Sequence, residues 1–206
     1  MFNTKQRIVE ASVRLFNENG MDSVRLQQIA EEVGISVGNL AYHFKNKEAI
    51  IESVFEQVFE EFDTIFRQYL AQPNLADFDI QISQFYSFFS KNHFYLSEFF
   101  KGTVANTPYH QQWQHYVTKM MIQLRSRLQF LVMKGVLVPE PRAGHYEIIA
   151  EQIWMALVFF IPKCNMTGQP TDVANYRKNV WSLLFPYFTT QGQQEFSTGI
   201  LPHFQW

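Results

Sequence analysis

Cysteine is almost missing from this chain of 206 residues. The single thiol, Cys164, excludes an internal disulfide framework and fits a reducing cytosol. An excess of either charge is missing too. Seventeen Lys and Arg stand against 19 Asp and Glu, a formal net charge of −2, so no global field draws the chain to nucleic acid. The longest apolar run, Ile153 to Pro162, is far shorter than the ~20 residues needed to cross a bilayer. No secretory apolar stretch follows Met1-Phe2-Asn3-Thr4-Lys5, and the chain is expected to be soluble and cytoplasmic. Strand alternation, hairpin signals and internal repeats are absent, which excludes β and repeat architectures.

The signatures of catalysis are equally thin. There is no phosphate-binding Gly loop, no His-Glu-x-x-His and no pair of cysteine ligands. The six His are scattered, and His110 and His115 stand five apart, whereas metal-binding pairs on a helix sit at i, i+4. His93 and His145 fall near expected helix ends, where a solvated or capping imidazole is the ordinary role. Cys164 follows Lys163 at an expected helix end and is either inert or a redox sensor. No enzyme activity, catalytic residue, metal or cofactor is therefore expected.

What is abundant is apolar and aromatic. Hydrophobic residues make up 47% and aromatics 17%, with 21 Phe, so disorder is excluded and aromatic burial must be extensive. Helical spacing dominates. The first helix is expected from about Lys5, capped by Thr4, to Gly20, with Ile8, Ala11, Leu15 and Phe16 inward. Leu26, Ile29, Ala30 and Val33 then fall at i, i+3, i+4 and i+7, one apolar face of a second helix. Gly34 suits the left-handed residue that closes it, Ile35 plugs the turn, and Ser36 caps the next helix. At about 100° per residue, Val37, Leu40, Ala41 and Phe44 group on one side of that third helix, facing its neighbours. Gly38, Asn39, Tyr42 and His43 group on the other, a set that suits base edges and phosphates better than a core. The first fifty residues carry six basic and six acidic side chains. Affinity for DNA would then rest on where Arg25, Lys45 and Lys47 sit and on dimerisation, not on net charge.

These residues resemble the TetR/AcrR family of bacterial transcriptional regulators. Ile8, Ala11, Leu15, Phe16 and Gly20 match its first helix. Ile29-Ala30, Gly34-Ile35-Ser36, Gly38, Leu40, His43-Phe44 and Lys47-Glu48 match its second and third helices and the start of the fourth. The resemblance covers about the first quarter of the chain. Arg25 stands where the family often has a capping Thr, and Ala41 where it often has a phosphate-binding Tyr, a role the resemblance leaves in part to the neighbouring Tyr42. An all-α fold is expected: an N-terminal three-helix helix-turn-helix DNA-binding head, residues 1–47, on a larger helical ligand-binding and dimerisation body, residues 48–206.

A long helix from Lys47 to about Ala71 carries Phe55, Phe59, Phe62, Phe66 and Tyr69 on one stripe, and its length would join head to body. Further helices are expected over Asp77 to Lys91, Tyr95 to about Val104, Pro108 to Lys134 and Gly144 to about Asn165. The last is expected from Thr171 or Asp172 to about Phe188, with a loosely held tail from Gln191. Phe85, Phe88, Phe89, Phe99, Phe100, Trp113, Tyr116 and Met120 are either a solid core or the wall of an apolar cavity. The resemblance implies the cavity, with a hydrophobic or aromatic small-molecule effector. The helix holding Ile148, Ile149, Ile153, Trp154, Leu157, Phe160 and Ile161 is apolar on too many sides for a surface helix. With the stripe Val173, Tyr176, Val180, Leu183, Leu184 and Tyr187 it forms the expected homodimer interface.

The expected function is a repressor that binds a palindromic DNA operator and is released by its effector. Val37, Asn39 and Tyr42 are the candidates for base contacts, with Gly38 allowing close approach. Ser36, His43 and Lys47 are the candidates for phosphates, and Gln27 and Gln28 are secondary. A helical carrier of hydrophobic molecules and a DNA-binding protein without an inducer are the alternatives.

Overall fold

The computed structural model describes residues 3–68, 73–101 and 107–203, without the side chains of residues 97, 99–101 and 203. Helices dominate these residues, and the one trace of β structure among them is an isolated bridge between Leu137 and Phe188. The chain forms two compact units: residues 1–63 with 91–112, and residues 64–90 with 113–206. Helix α4, Lys47–Gln68, supplies residues to both.

The first unit begins with α1, Thr4–Asn19. Its cap is Asn3 rather than the expected Thr4: Asn3 Oδ1 accepts from the Gln6 N–H at 2.9 Å, and Gln6 Oε1 accepts from the Asn3 N–H at 3.1 Å. This reciprocal box satisfies two orphan amides where a lone Thr would satisfy one. Ile8, Val9, Ala11, Val13 and Phe16 are buried, while Leu15, expected inward, is half-buried. Helix α2, Leu26–Val33, buries Ile29, Ala30 and Val33. Gly34 closes it in the left-handed conformation (φ 75°, ψ 39°), and Arg7 Nη2 donates to the Val33 carbonyl at 2.6 Å. Helix α3 is Val37–His43.

A distant segment is built into the first compact unit. Asn17 Nδ2 donates to the Lys91 carbonyl at 2.7 Å, and Asn17 Oδ1 accepts from the Phe94 N–H at 2.8 Å. Phe94 opens helix α6, Phe94–Lys101, and packs its ring against Phe16 and Phe55 with centroids 5.8 and 6.2 Å apart. Lys91 Nζ and Asn92 Nδ2 both donate to Glu61 on α4. The fully buried Glu98 accepts from the Met21 N–H at 3.4 Å.

In the second unit, α5 spans Leu75–Lys91, two residues longer at its start than expected. Asn74 explains the early start: its Oδ1 accepts from the Asp77 N–H at 2.7 Å as an N-cap does. Helices α7, Pro108–Met133, and α8, His145–Thr167, come next; α8 runs through Pro162 and is closed by Gly168. Helix α9 is Val173–Leu184, capped by Asp172. It stops before the expected Phe188, because Pro186 cannot donate into an α-helix, and Phe185–Tyr187 turn as a 3₁₀ segment. Tyr176 on α9 donates its hydroxyl to the Leu157 carbonyl of α8 at 2.8 Å. Asp79 on α5 accepts from Arg177 Nε at 2.8 Å and from the Trp181 indole at 2.9 Å, tying α9 to α5 inside the core.

The tail corrects the sequence expectation outright. Residues Thr190–Gly199 form α10, capped by Thr189, and Phe196 and Ile200 are buried. The Phe196 ring meets Trp181 at 5.1 Å and Phe188 at 5.5 Å. Local propensity in this Gln- and Gly-bearing stretch is weak, so burial of a few apolar side chains, not propensity, holds the helix.

Candidate nucleic-acid interface

The turn between α2 and α3 is fixed by local chemistry. The Gly34 N–H donates to the Glu31 carbonyl and the Ile35 N–H to the Ala30 carbonyl, both at 3.0 Å. Ser36 then takes extended backbone angles, and its hydroxyl accepts from the Asn39 N–H at 3.1 Å. Within α3 only Leu40 is buried, and Phe44 anchors the residue just after it. Val37, at 45% exposure, and Ala41 are open to solvent, although helical spacing put them on the packing side. Seven residues give α3 fewer than two full turns. Two large anchors four residues apart fill its contact with the rest of the unit, and the outward arc is correspondingly wide.

Gln27, Gln28, Ser36, Val37, Gly38, Asn39 and Tyr42 are all exposed, and His43 and Lys47 are half-buried. Tyr42, at 86% exposure, is the most prominent; its ring meets the His43 ring edge-on at 5.2 Å. Gly38 is not demanded by the protein's own packing, since an added Cβ would come no nearer than 3.8 Å to Ser36 Oγ.

Several of these side chains carry internal bonds. Gln28 Oε1 accepts from the Arg25 N–H at 2.8 Å, the returning half of a capping box, while the Arg25 side chain supplies no cap of its own. Gln27 Nε2 donates to Glu31 at 3.0 Å. Lys47 Nζ donates to the Asp22 carbonyl at 3.1 Å, one of its three protons. Ser23, Arg25, Gln27, Gln28 and Glu31 line a shallow surface cleft. Ser23, which the sequence reading did not single out, and Ala41, which helical spacing put on the packing side, are exposed on this surface too. This surface offers hydroxyl, amide, phenol and imidazole groups beside cations, the chemistry that contacts base edges and phosphates.

The aromatic set is distributed unevenly. Phe85, Phe88, Phe89, Trp113, Tyr116 and Met120 are buried in the second unit; the side chains of Phe99 and Phe100 lie outside the described residues. Phe85 meets Phe66 and Phe89 at 6.1 and 6.2 Å, and Phe66 stacks on Tyr116 at 6.1 Å. Gln81, Phe85, Met120, Gln123, Leu124 and Arg127 line one void of about 10 Å³, room for one water at most.

On the expected dimer face, Ile148, Met155 and Val173 are exposed. Ile149, Ile153, Leu157, Phe160, Ile161, Tyr176, Val180 and Leu184 instead pack within the chain. The exposed apolar stripe is therefore narrower than the sequence pattern, which counted side chains that their own unit buries. Burial raises the Tyr176 phenol well above its ordinary range. Burial, then Tyr187 and Glu140, push Tyr146 up to about 12. Cys164 is buried, and among the described residues no cluster of three metal-ligating side chains occurs. No helix there is long and apolar enough to cross a membrane.

Residues 8–54 match the family model for bacterial regulatory proteins of the tetR family. Over 52 residues the chain is 46% identical to the uncharacterized HTH-type transcriptional regulator YerO of Bacillus subtilis (strain 168), covering 25% of this chain and 18% of that one. Over 64 residues it is 38% identical to an HTH-type transcriptional regulator of Staphylococcus aureus (strain USA300), covering 31% of this chain and 35% of that one. The alignments thus span from just under a fifth to about a third of these curated relatives. In fold the chain is similar to a TetR-family transcriptional regulator from Marinobacter aquaeolei VT8, with TM-score 0.80, 19% identity and coverage of 96% of this chain and 97% of that one. It is also similar to the FadR regulator of Bacillus subtilis in complex with stearoyl-CoA, with TM-score 0.60, 20% identity and coverage of 87% and 97%. The SmeT–triclosan complex matches with TM-score 0.62, 17% identity and coverage of 91% and 92%.

Proposed function

We propose, on the premise that this chain belongs to the TetR family of bacterial transcriptional regulators, that it represses transcription by binding a palindromic operator as a homodimer. Residues 1–47 act as the DNA-binding head and residues 48–206 as the effector-binding and dimerisation body. Helix α3 enters the major groove of each half-site. Val37, Asn39 and Tyr42 meet base edges and thymine methyls, and Gly38 lets the backbone approach. Ser36, His43 and Lys47 hold phosphates, with Gln27 and Gln28 beside them. The observation that carries this reading is the outward arc of α3, where one buried leucine leaves Val37, Asn39 and Tyr42 open to solvent.

Two copies pair through α8 and α9, and a hydrophobic or aromatic effector binds among the aromatic side chains of the body. FadR with stearoyl-CoA and SmeT with triclosan support an apolar effector for a fold of this kind. The effector changes the spacing of the two heads by preferring one dimer geometry, with α4 as the lever.

Fluorescence anisotropy with the DNA upstream of the protein's own gene tests the reading. Tyr42→Ala is expected to cost about 1–3 kcal/mol of operator binding with an unchanged helical circular dichroism spectrum. Equal affinity of the variant and the parent removes Tyr42 from the interface. No shift with any DNA favours a carrier.

A further inference from the structure

Six cationic side chains stand in the first fifty residues, and the fold engages four of them. Arg7 Nη2 donates to the Val33 carbonyl at 2.6 Å, and Arg14 Nη2 pairs with Glu32 at 3.0 Å. Lys47 Nζ donates to the Asp22 carbonyl, and Lys5 Nζ lies 5.4 Å from the centre of the Phe44 ring. Arg25 and Lys45 are exposed, and neither side chain makes a hydrogen bond or an ion pair among the described residues.

Arg25 is the odder of the two. It stands at the N-cap of α2, yet a guanidinium carries donors only and cannot accept from the helix amides. Gln28 Oε1 closes the cap from the other side, on the Arg25 N–H at 2.8 Å. The nearby carboxylates are engaged elsewhere: Glu31 accepts from Gln27 at 3.0 Å, and Glu32 from Arg14. The fold thus gives this long cation no internal role, at a position where a short hydroxyl side chain would serve the helix.

Its place along α2 decides what it can reach. Helix-turn-helix pairs meet at about 90–120°, so α2 leads away from the groove that α3 occupies and crosses the DNA backbone. Eight residues at about 1.5 Å each put Arg25 about 12 Å from the Gly34 turn. The major groove is about 12 Å wide, so its wall lies about 6 Å from a helix along its middle. Arg25 therefore starts beyond that wall, beside the next minor groove. The shallow cleft formed by Ser23, Arg25, Gln27, Gln28 and Glu31 gives the sugar-phosphate ridge a place to pass. We infer that the Arg25 guanidinium enters the minor groove flanking each half-site, so that the protein selects operators bordered by A·T pairs. This deepens the reading of α3 as the probe of the major groove and rests on it.

The match is chemical. Runs of A·T pairs have a narrow minor groove whose concentrated negative potential draws arginine in. A G·C pair instead sets the guanine N2 amino group, a donor, against a guanidinium that has donors only. Guanidinium is also less strongly hydrated than ammonium, which suits it to a confined groove. Lys45, a compact charge just after α3, suits a phosphate, a contact that carries no sequence information.

The test selects duplexes from a random-sequence library with the full chain, then measures the chosen half-site by fluorescence anisotropy with its flanks varied. Changing A·T flanks to G·C should weaken binding roughly five- to tenfold. Inosine·cytosine flanks should recover most of that loss, since inosine lacks the N2 amino group and keeps the major-groove face of guanine. Arg25→Thr restores a hydroxyl cap to α2 and so spares the fold; it should select the same half-site without the flank preference. Lys45→Ala should weaken every duplex alike and keep the preference. A half-site bound by the parent equally well in A·T and G·C flanks overturns this inference alone. So does a lack of recovery with inosine, a preference that survives in Arg25→Thr, or one that disappears in Lys45→Ala. Selection of no DNA at all overturns the regulator reading and this inference with it.

Discussion

Removing Asp79 should unfold this protein more readily than removing most single side chains, and removing its partner as well should largely repair the damage. The carboxylate accepts from Arg177 twice and from the Trp181 indole, and all three side chains are buried. Asp79→Leu takes away the carboxylate that a buried guanidinium and a buried indole N–H share. Breaking a buried pair by taking one partner costs about 3–5 kcal/mol, whereas replacing both by apolar groups is often close to neutral. The single variant should therefore lose about 6–20 °C in Tm, using about 2–4 °C per kcal/mol for a chain of this size. The double variant Asp79→Leu, Arg177→Met should lose far less, giving a coupling energy of several kcal/mol. Urea and thermal unfolding followed by circular dichroism, at one fixed protein concentration, measure all three variants. If the double variant falls by the sum of the two singles, the losses come from packing, and the unpaired-charge reasoning is wrong.

Asn17→Ala should cost about 1–2 kcal/mol, since the part-buried Phe94 N–H loses its acceptor while the exposed Lys91 carbonyl can turn to water; urea unfolding reads the loss, and a change below about 0.5 kcal/mol counts against the bracket. Stability should fall as pH rises from about 10 to about 12, because the unfolded chain releases the Tyr146 proton near the ordinary phenol value while the folded chain holds it to about 12. Tyr146→Phe should flatten that decline in urea titrations, and an unchanged slope would sink the assignment.

The sequence made the head legible because its determinants are local. Gly34, Ser36 and the spacing of Ile29, Ala30 and Val33 act within a few residues, and each stands where its chemistry required. What helical spacing could not supply was the width of the covered face. Val37 and Ala41 share a side with Leu40 and Phe44, yet both are left exposed. The aromatic positions read equally well as wall or as core, because helical spacing shows which side chains face inward and not how Phe66, Phe85, Phe89 and Tyr116 meet one another there. The ties that define the two units were illegible for a different reason. Asn17 reaches across 74 and 77 residues, and Asp79 across 98 and 102, distances over which one sequence carries no pairing signal.

The C-terminal helix offers a sharper test of how far local rules reach, through two glycines seven residues apart. In a free helix, glycine to alanine is favourable by up to about 1 kcal/mol, since alanine loses less backbone freedom on ordering. Gly199 should follow that rule, because an added Cβ meets nothing within 4 Å. Gly192 should break it. A Cβ there would lie 2.1 Å from the Val136 carbonyl oxygen and 3.1 Å from Phe188 Cδ1. The first of these is backbone, fixed by the Thr189 N–H that donates to it at 3.1 Å, and it cannot swing aside. The helix would have to lift from the α7–α8 connection, at a cost of about 1–3 kcal/mol for overpacking. Thermal unfolding should then show Gly199→Ala unchanged or raised in Tm, and Gly192→Ala lowered. Shifts of the same sign would mean that α10 is held by its own propensity, and the docking of Phe196 and Ile200 would lose its place as the cause of order in the tail.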